Sequence, residues 1–86
     1  MKTIWKYPLE VTDLQTLKIP QGAQILSAQI QSGQLMLWAL VDTSNPCEKV
    51  KIEVVGTGNP ISDACRKYIS TVQMGPFVWH VFQLVA

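Results

Sequence analysis

The sequence predicts an all-β fold: a small antiparallel sandwich or barrel of about seven strands, with at most one short helical turn, near residues 61–66. Two observations carry this. Apolar and polar residues alternate with a period of two in segment after segment, as in Trp5–Val11 and Glu48–Val55. That is the repeat of a strand with one buried and one wetter face. Turn residues punctuate these segments at regular intervals, at Pro20-Gln21-Gly22, Ser32-Gly33, Gly56–Pro60 and Gly75-Pro76. No internal repeat, low-complexity tract or linker interrupts the 86 residues, so residues 1–86 read as a single domain.

Each element has its own signal. Trp5, Tyr7, Leu9 and Val11 alternate with Lys6, Pro8 and Glu10, and Pro8, which has no amide hydrogen, places this first strand at an edge or beside a bulge. Thr16–Ile19 is a second, short strand with Leu17 and Ile19 on one face. Pro20-Gln21-Gly22 turns the chain into a hairpin of Gln24–Gln31 and Gln34–Asp42 around Ser32-Gly33. A two-residue linker ending in Gly suits a primed turn, whose twist matches that of its strands. Centred there, the hairpin sets Ile30 against Leu35, Ala28 against Leu37 and Leu26 against Ala39. The second arm, Leu35–Val41, is apolar at both parities, which suits a central strand or one buried at an interface. After the loop Thr43–Pro46, Val50, Ile52 and Val54 point inward from Glu48–Val55, and Lys49, Lys51 and Glu53 point outward. Beyond Gly56–Pro60, Ser62 and Asp63 suit the start of a helical turn over Ile61–Arg66. Lys67–Met74 is a strand anchored by Ile69 and Val72, and Phe77–Val85 is the last, with Val78, His80, Phe82 and Leu84 on one parity and Trp79, Val81, Gln83 and Val85 on the other.

Composition narrows the classes of function. The apolar fraction of 48% is ordinary, but only 15% of residues are charged and the net charge is +1. So few charges on a small domain point to surface covered by a partner or a second copy. The basic residues fall in scattered pairs (Lys2 and Lys6, Lys49 and Lys51, Arg66 and Lys67), which argues against an electrostatic grip on nucleic acid. The longest apolar run, Leu35–Val41, is far too short to span a bilayer. The N-terminus lacks the apolar core of a signal peptide. The expected location is the cytoplasm, where Cys47 and Cys65 read as two free thiols.

Groups able to do chemistry are few. The single His80 lies within the last strand, three Asp and three Glu are dispersed, and two Cys with one His give no metal-ligand spacing. A Cys–His pair lacks a supporting signature, and a core or half-buried role outweighs a catalytic one for each of these residues. Gly56-Thr57-Gly58-Asn59-Pro60 is the candidate ligand loop. Its two glycines let the backbone approach a ligand and aim amide hydrogens at it, although a turn that needs positive φ explains them more simply. The candidate ligand-binding residues are Gly56, Thr57, Gly58, Asn59 and His80, with Trp38 as a further wall. Three Trp is a high count for so thin a core, and Trp is enriched at interface hot spots. At least one of Trp38 and Trp79 is therefore expected to face a partner chain.

Several strings have a further meaning together: Lys2-Thr3-Ile4-Trp5-Lys6-Tyr7, Ile25-Leu26-Ser27 with Leu37-Trp38-Ala39-Leu40-Val41, Gly56–Ile61, and Phe77-Val78-Trp79-His80-Val81-Phe82. In these, and over nearly its whole length, the chain resembles a family of small, functionally uncharacterised β-rich proteins encoded by phages and prophages. The resemblance implies an origin in a phage or prophage and a place in the cytoplasm of the bacterial host. It supplies no catalytic residue. The expected function is a non-catalytic accessory protein, a homo-oligomeric protein-binding module that engages a host or phage protein without cofactor or metal, and with neither nucleic acid nor membrane as partner. The alternatives are a protein that binds or sequesters a nucleotide-like small molecule through the Gly56–Pro60 loop, and a minor virion component.

Overall fold

The computed structural model describes residues 1–85. Seven strands form two antiparallel sheets: β1 (Lys2–Pro8), β2 (Leu14–Pro20), β3 (Gln24–Gln31), β4 (Gln34–Asp42), β5 (Cys47–Gly56), β6 (Arg66–Met74) and β7 (Phe77–Leu84). One sheet has the order β1-β4-β3 and the other β2-β5-β7-β6. They pack face to face as a sandwich measuring 40 × 32 × 15 Å. The expected all-β class is therefore the observed one, and the sandwich is its form.

Turn chemistry sets both hairpins. Ser32 (φ 52°) and Gly33 (φ 76°) take the two left-handed positions of a type I′ turn between β3 and β4. Gly75 (φ 59°) ahead of Pro76 supplies the pattern of a II′ turn between β6 and β7. Ile30 faces Leu35 and Ala28 faces Leu37, as the hairpin's turn requires. Further along, a bulge between Ile25 and Ser27 shifts the register, so Ile25 and not Leu26 faces Ala39. The extra residue turns Leu26 out to solvent.

No helical turn forms over Ile61–Arg66. The Ser62 hydroxyl accepts the Ala64 amide at 3.3 Å, a local turn that competes with helix. Arg66, the first residue of β6, donates to the Ser62 carbonyl at 2.8 Å and to its hydroxyl at 3.0 Å.

β4 is central in its sheet, which explains its apolar run. Leu35, Leu37, Ala39 and Val41 are buried between the sheets, while Met36, Trp38 and Leu40 take the opposite parity and face outward. Ile52 and Val54 of β5, Val81 of β7 and Val72 of β6 meet them from the other sheet, with Leu9 and Ile19 at the margins.

The two long sides of the sandwich differ. On one, β3 and β6 are the outer strands of their sheets, each carries a bulge, and they touch: the Ala28 amide donates to Ser70 Oγ at 2.9 Å. Ser70 is nearly buried, and its hydroxyl also meets Ser27 Oγ at 3.3 Å. On the other, β1 pairs only with β4 and β2 only with β5, both without a bulge. That makes β1 the edge strand that Pro8 demands. Trp5 has the inward parity but is 42% exposed there.

Candidate functional site

The sequence-derived site residues gather at the β5 end of the larger sheet, with one exception. Val55 of β5, His80 of β7 and Thr71 of β6 stand in one cross-strand row on the outward face. Gly56 ends β5, and the Gly56–Pro60 loop folds back over that row. Its turn is closed by the Asn59 amide on the Gly56 carbonyl at 3.0 Å and by the Thr57 amide on the Val78 carbonyl at 3.2 Å. Gly58 sits at φ 88°, which the turn requires.

This places Thr57 Oγ1 2.7 Å from His80 Nε2. The other ring nitrogen, Nδ1, is 3.0 Å from Thr71 Oγ1, which in turn lies 2.8 Å from the Tyr68 hydroxyl. In a neutral imidazole one nitrogen donates and the other accepts, so the hydroxyl chain runs in a single direction. Both ring nitrogens are held by hydroxyls and neither by a carboxylate. The nearest ion pair in this sheet is spoken for: Arg66 Nε meets Glu53 Oε1 at 2.8 Å, and its guanidinium lies 5.7 Å from the centre of the Phe82 ring. Among the described residues, no group of three or more His, Cys, Asp or Glu is placed to hold a metal ion. Cys47 and Cys65 are free and exposed.

The glycine at 56 serves a contact different from the expected one. A Cβ there would lie 2.9 Å from both Trp79 Cζ3 and Asn59 Nδ2. The space that its missing side chain leaves is filled by the Trp79 ring, which packs inward against the core. Trp79 Nε1 is buried and has no hydrogen-bond partner among the described residues. Phe77 stacks on Trp79 with centroids 5.8 Å apart and is 58% exposed. Together with Thr57, Asn59 and Pro76 they wall an open cleft of about 520 Å³.

Trp38 is the exception. It lies opposite Lys6 on β4's outward side, on the other sheet, and takes no part in that cleft. There, Met36, Trp38 and Leu40 form an apolar row beside Ile4, which is 54% exposed. Lys6 Nζ reaches across the row to Gln31 Oε1 at 2.8 Å.

The fold also gathers lysines that looked scattered. Lys18 of β2 and Lys49 of β5 stand directly opposite each other, and Lys51 follows opposite Thr16 on the same face. Strand pairing, absent from sequence spacing, makes this cluster. Thr71 and Tyr68 were likewise missed. Counting back from Gly75-Pro76 as a two-residue hairpin pairs Thr71 with His80, so part of the network was open to sequence reasoning.

A family model described as a domain of unknown function, DUF7352, matches residues 1–86, and the chain belongs to that family. No curated protein and no solved structure matches it.

Proposed function

We propose that this DUF7352 member is a non-catalytic protein-binding module that works as a homo-oligomer. The observation that carries it is the outward face of β4. Met36, Trp38 and Leu40 add a second apolar row to a strand whose other face already fills the core, and Ile4 extends that row sideways onto β1. Its rim is Lys2, Lys6, Gln24, Gln29 and Gln31, with Asp42 opposite Lys2, so it is polar and mixed in charge. An apolar centre with a polar rim is the anatomy of an interface, and Trp38 is its anchor type. The fitting partner is a protein surface with an apolar centre and a polar surround. Native mass spectrometry of the protein purified gently from its own host tests this. Masses of two or more chains, or of a chain carrying another protein, are expected. A bare 9.6 kDa monomer throughout overturns it.

A second reading has its own observation, the open cleft beside Gly56–Pro60 with its stacked Phe77 and Trp79. Such a wall suits a flat ring, as in a nucleotide-like molecule. A ligand at about 100 times its Kd adds roughly 2.7 kcal/mol, so a thermal-shift screen of nucleotides reads it, and no stabilisation by any compound sinks it. The phage or prophage origin implied by the resemblance belongs to the same proposal. Proteomics of purified virions separates an accessory protein of the host cytoplasm from a virion component.

A further inference from the structure

We infer that the second copy docks along β2, strand to strand and antiparallel, so that the two four-stranded sheets join into one continuous sheet. The inference rests on the homo-oligomeric part of the function proposed above and adds the surface and its geometry.

Of the four outer strands, β2 is the least protected. An unpaired strand edge is a template for another chain, and proteins blunt it with bulges, lysines, prolines or a cover. β3 and β6 are bulged and cover each other. β1 carries Lys2 and Lys6 on its outward parity and ends in Pro8. Antiparallel self-pairing centred on Ile4 would set Lys2 against Lys6 of the second copy, a like-charge pair. β2 also ends in a proline, Pro20, but it runs through its whole register without a bulge, and its one lysine, Lys18, meets no lysine of the second copy. A two-fold axis preserves the side to which each residue points, so a strand pairs with itself about a single residue. Centred on Thr16, the pairing sets Lys18 of each copy against Leu14 of the other. Leu14 is 50% exposed in one chain alone, and a lysine stem covers such a side chain well.

Charge points to the same strand. Lys18 and Lys49 face each other directly, and like charges opposite one another on neighbouring strands are destabilising. Among the described residues the ion pairs join Met1 to Asp42 and Arg66 to Glu53, leaving Lys18, Lys49 and Asp13 unpaired. Asp13 immediately precedes β2, and Lys18 lies near its end. Centred on Thr16, antiparallel docking sets Asp13 of one copy opposite Ile19, the neighbour of Lys18, in the other, with Lys49 one strand behind, and does so twice. The acid of each copy then offsets a repulsion that neither copy can relieve alone.

Charge reversal tests this in trans. Asp13→Lys and Lys18→Glu are made separately, with Lys49→Glu as a second variant of the basic end. Each concerns an exposed side chain, and Lys18→Glu also removes the repulsion inside one chain, so the fold persists and thermal melts verify it. Sedimentation equilibrium of the unaltered protein is expected to give twice 9.6 kDa. Asp13→Lys and Lys18→Glu each set like charges together at both ends, and each dimer is expected to weaken about tenfold or more; Lys49→Glu, one strand behind the seam, is expected to weaken it less. An equimolar mixture of Asp13→Lys with Lys18→Glu has opposite charges at both ends and is expected to regain the dimer. An assembly that survives each reversal, or a mixture with no recovery, overturns the β2 geometry and leaves the homo-oligomer standing elsewhere. A monomer at every concentration overturns both.

Discussion

The two long sides of the sandwich each hold a buried hydroxyl, and the two hydroxyls have opposite fates. On the β3–β6 side, Ser70 accepts the Ala28 amide and meets Ser27, so its hydroxyl has partners. On the β1–β2 side, Tyr7 Oη is buried with none among the described residues, and burial, with a smaller contribution from the nearby Cys47 thiol, raises its pKa above the usual 10. A satisfied buried group holds two strands together, whereas an orphaned one costs free energy. The comparison shows which side of this protein is finished within one chain. The β3–β6 side is closed by bulges and a serine pair. The β1–β2 side keeps regular edges, a half-exposed Trp5 and unpaired charge.

Leu37 sets the scale, because it faces Ala28 on one side and Tyr7 on the other. Leu37→Ala is expected to cost about 3 kcal/mol through lost burial and the cavity left behind, read as a lower urea midpoint. Ser70→Ala is next, at about 1–3 kcal/mol, because it strands the Ala28 amide. Faster hydrogen exchange of that amide is the specific readout, and unchanged exchange would break the account of the closed side. Tyr7→Phe should go the other way, neutral or stabilising by up to about 1 kcal/mol, since it removes an unpaired hydroxyl. A loss of more than that in the urea midpoint would mean the hydroxyl has a partner after all.

The smallest effect is at the start of β1. Hydrogen bonds from the Ser44 hydroxyl and amide, then from the N-terminal ammonium, lower the Asp42 pKa from 3.8 to about 2. A depressed carboxyl pKa contributes stability that is present above the unfolded value and is lost as pH falls through the folded one. The loss therefore lies between about pH 4 and pH 2, and it is small because the group is exposed and screened. In an NMR titration, Ser44→Ala should raise the Asp42 midpoint.

Much of the fold was legible because its signals are local. Period-two patterning places the strands, and Ser32-Gly33 fixes a turn from which Ile30 and Ala28 find their partners. The bulge at Leu26 was not legible, since Ile25 and Leu26 are both apolar and either could point inward. Its cause is the contact with β6, far along the chain. The site divides in the same way. Thr71 and His80 meet across a tight hairpin that counting could find, but Thr57 reaches His80 only because β5 lies beside β7. The Lys18–Lys49 pair depends on β2 lying beside β5. Trp38 and Trp79 read alike in sequence, and only sheet parity separates the outward-facing ring from the one packed inward.

The topology has a kinetic side. β3–β4 and β6–β7 are hairpins closed by two-residue turns, and such units form within microseconds. β1 and β2 have to find β4 and β5 across intervening strands, so of the strand pairings theirs close the longest loops and wait on the hairpins. Substitutions in the two hairpins should therefore slow folding, while those in β1 and β2 should chiefly speed unfolding. Until that late step is complete, the nascent chain offers β4 and β5 as unprotected edges. The interval before β1 and β2 arrive is when this protein is most open to aggregation.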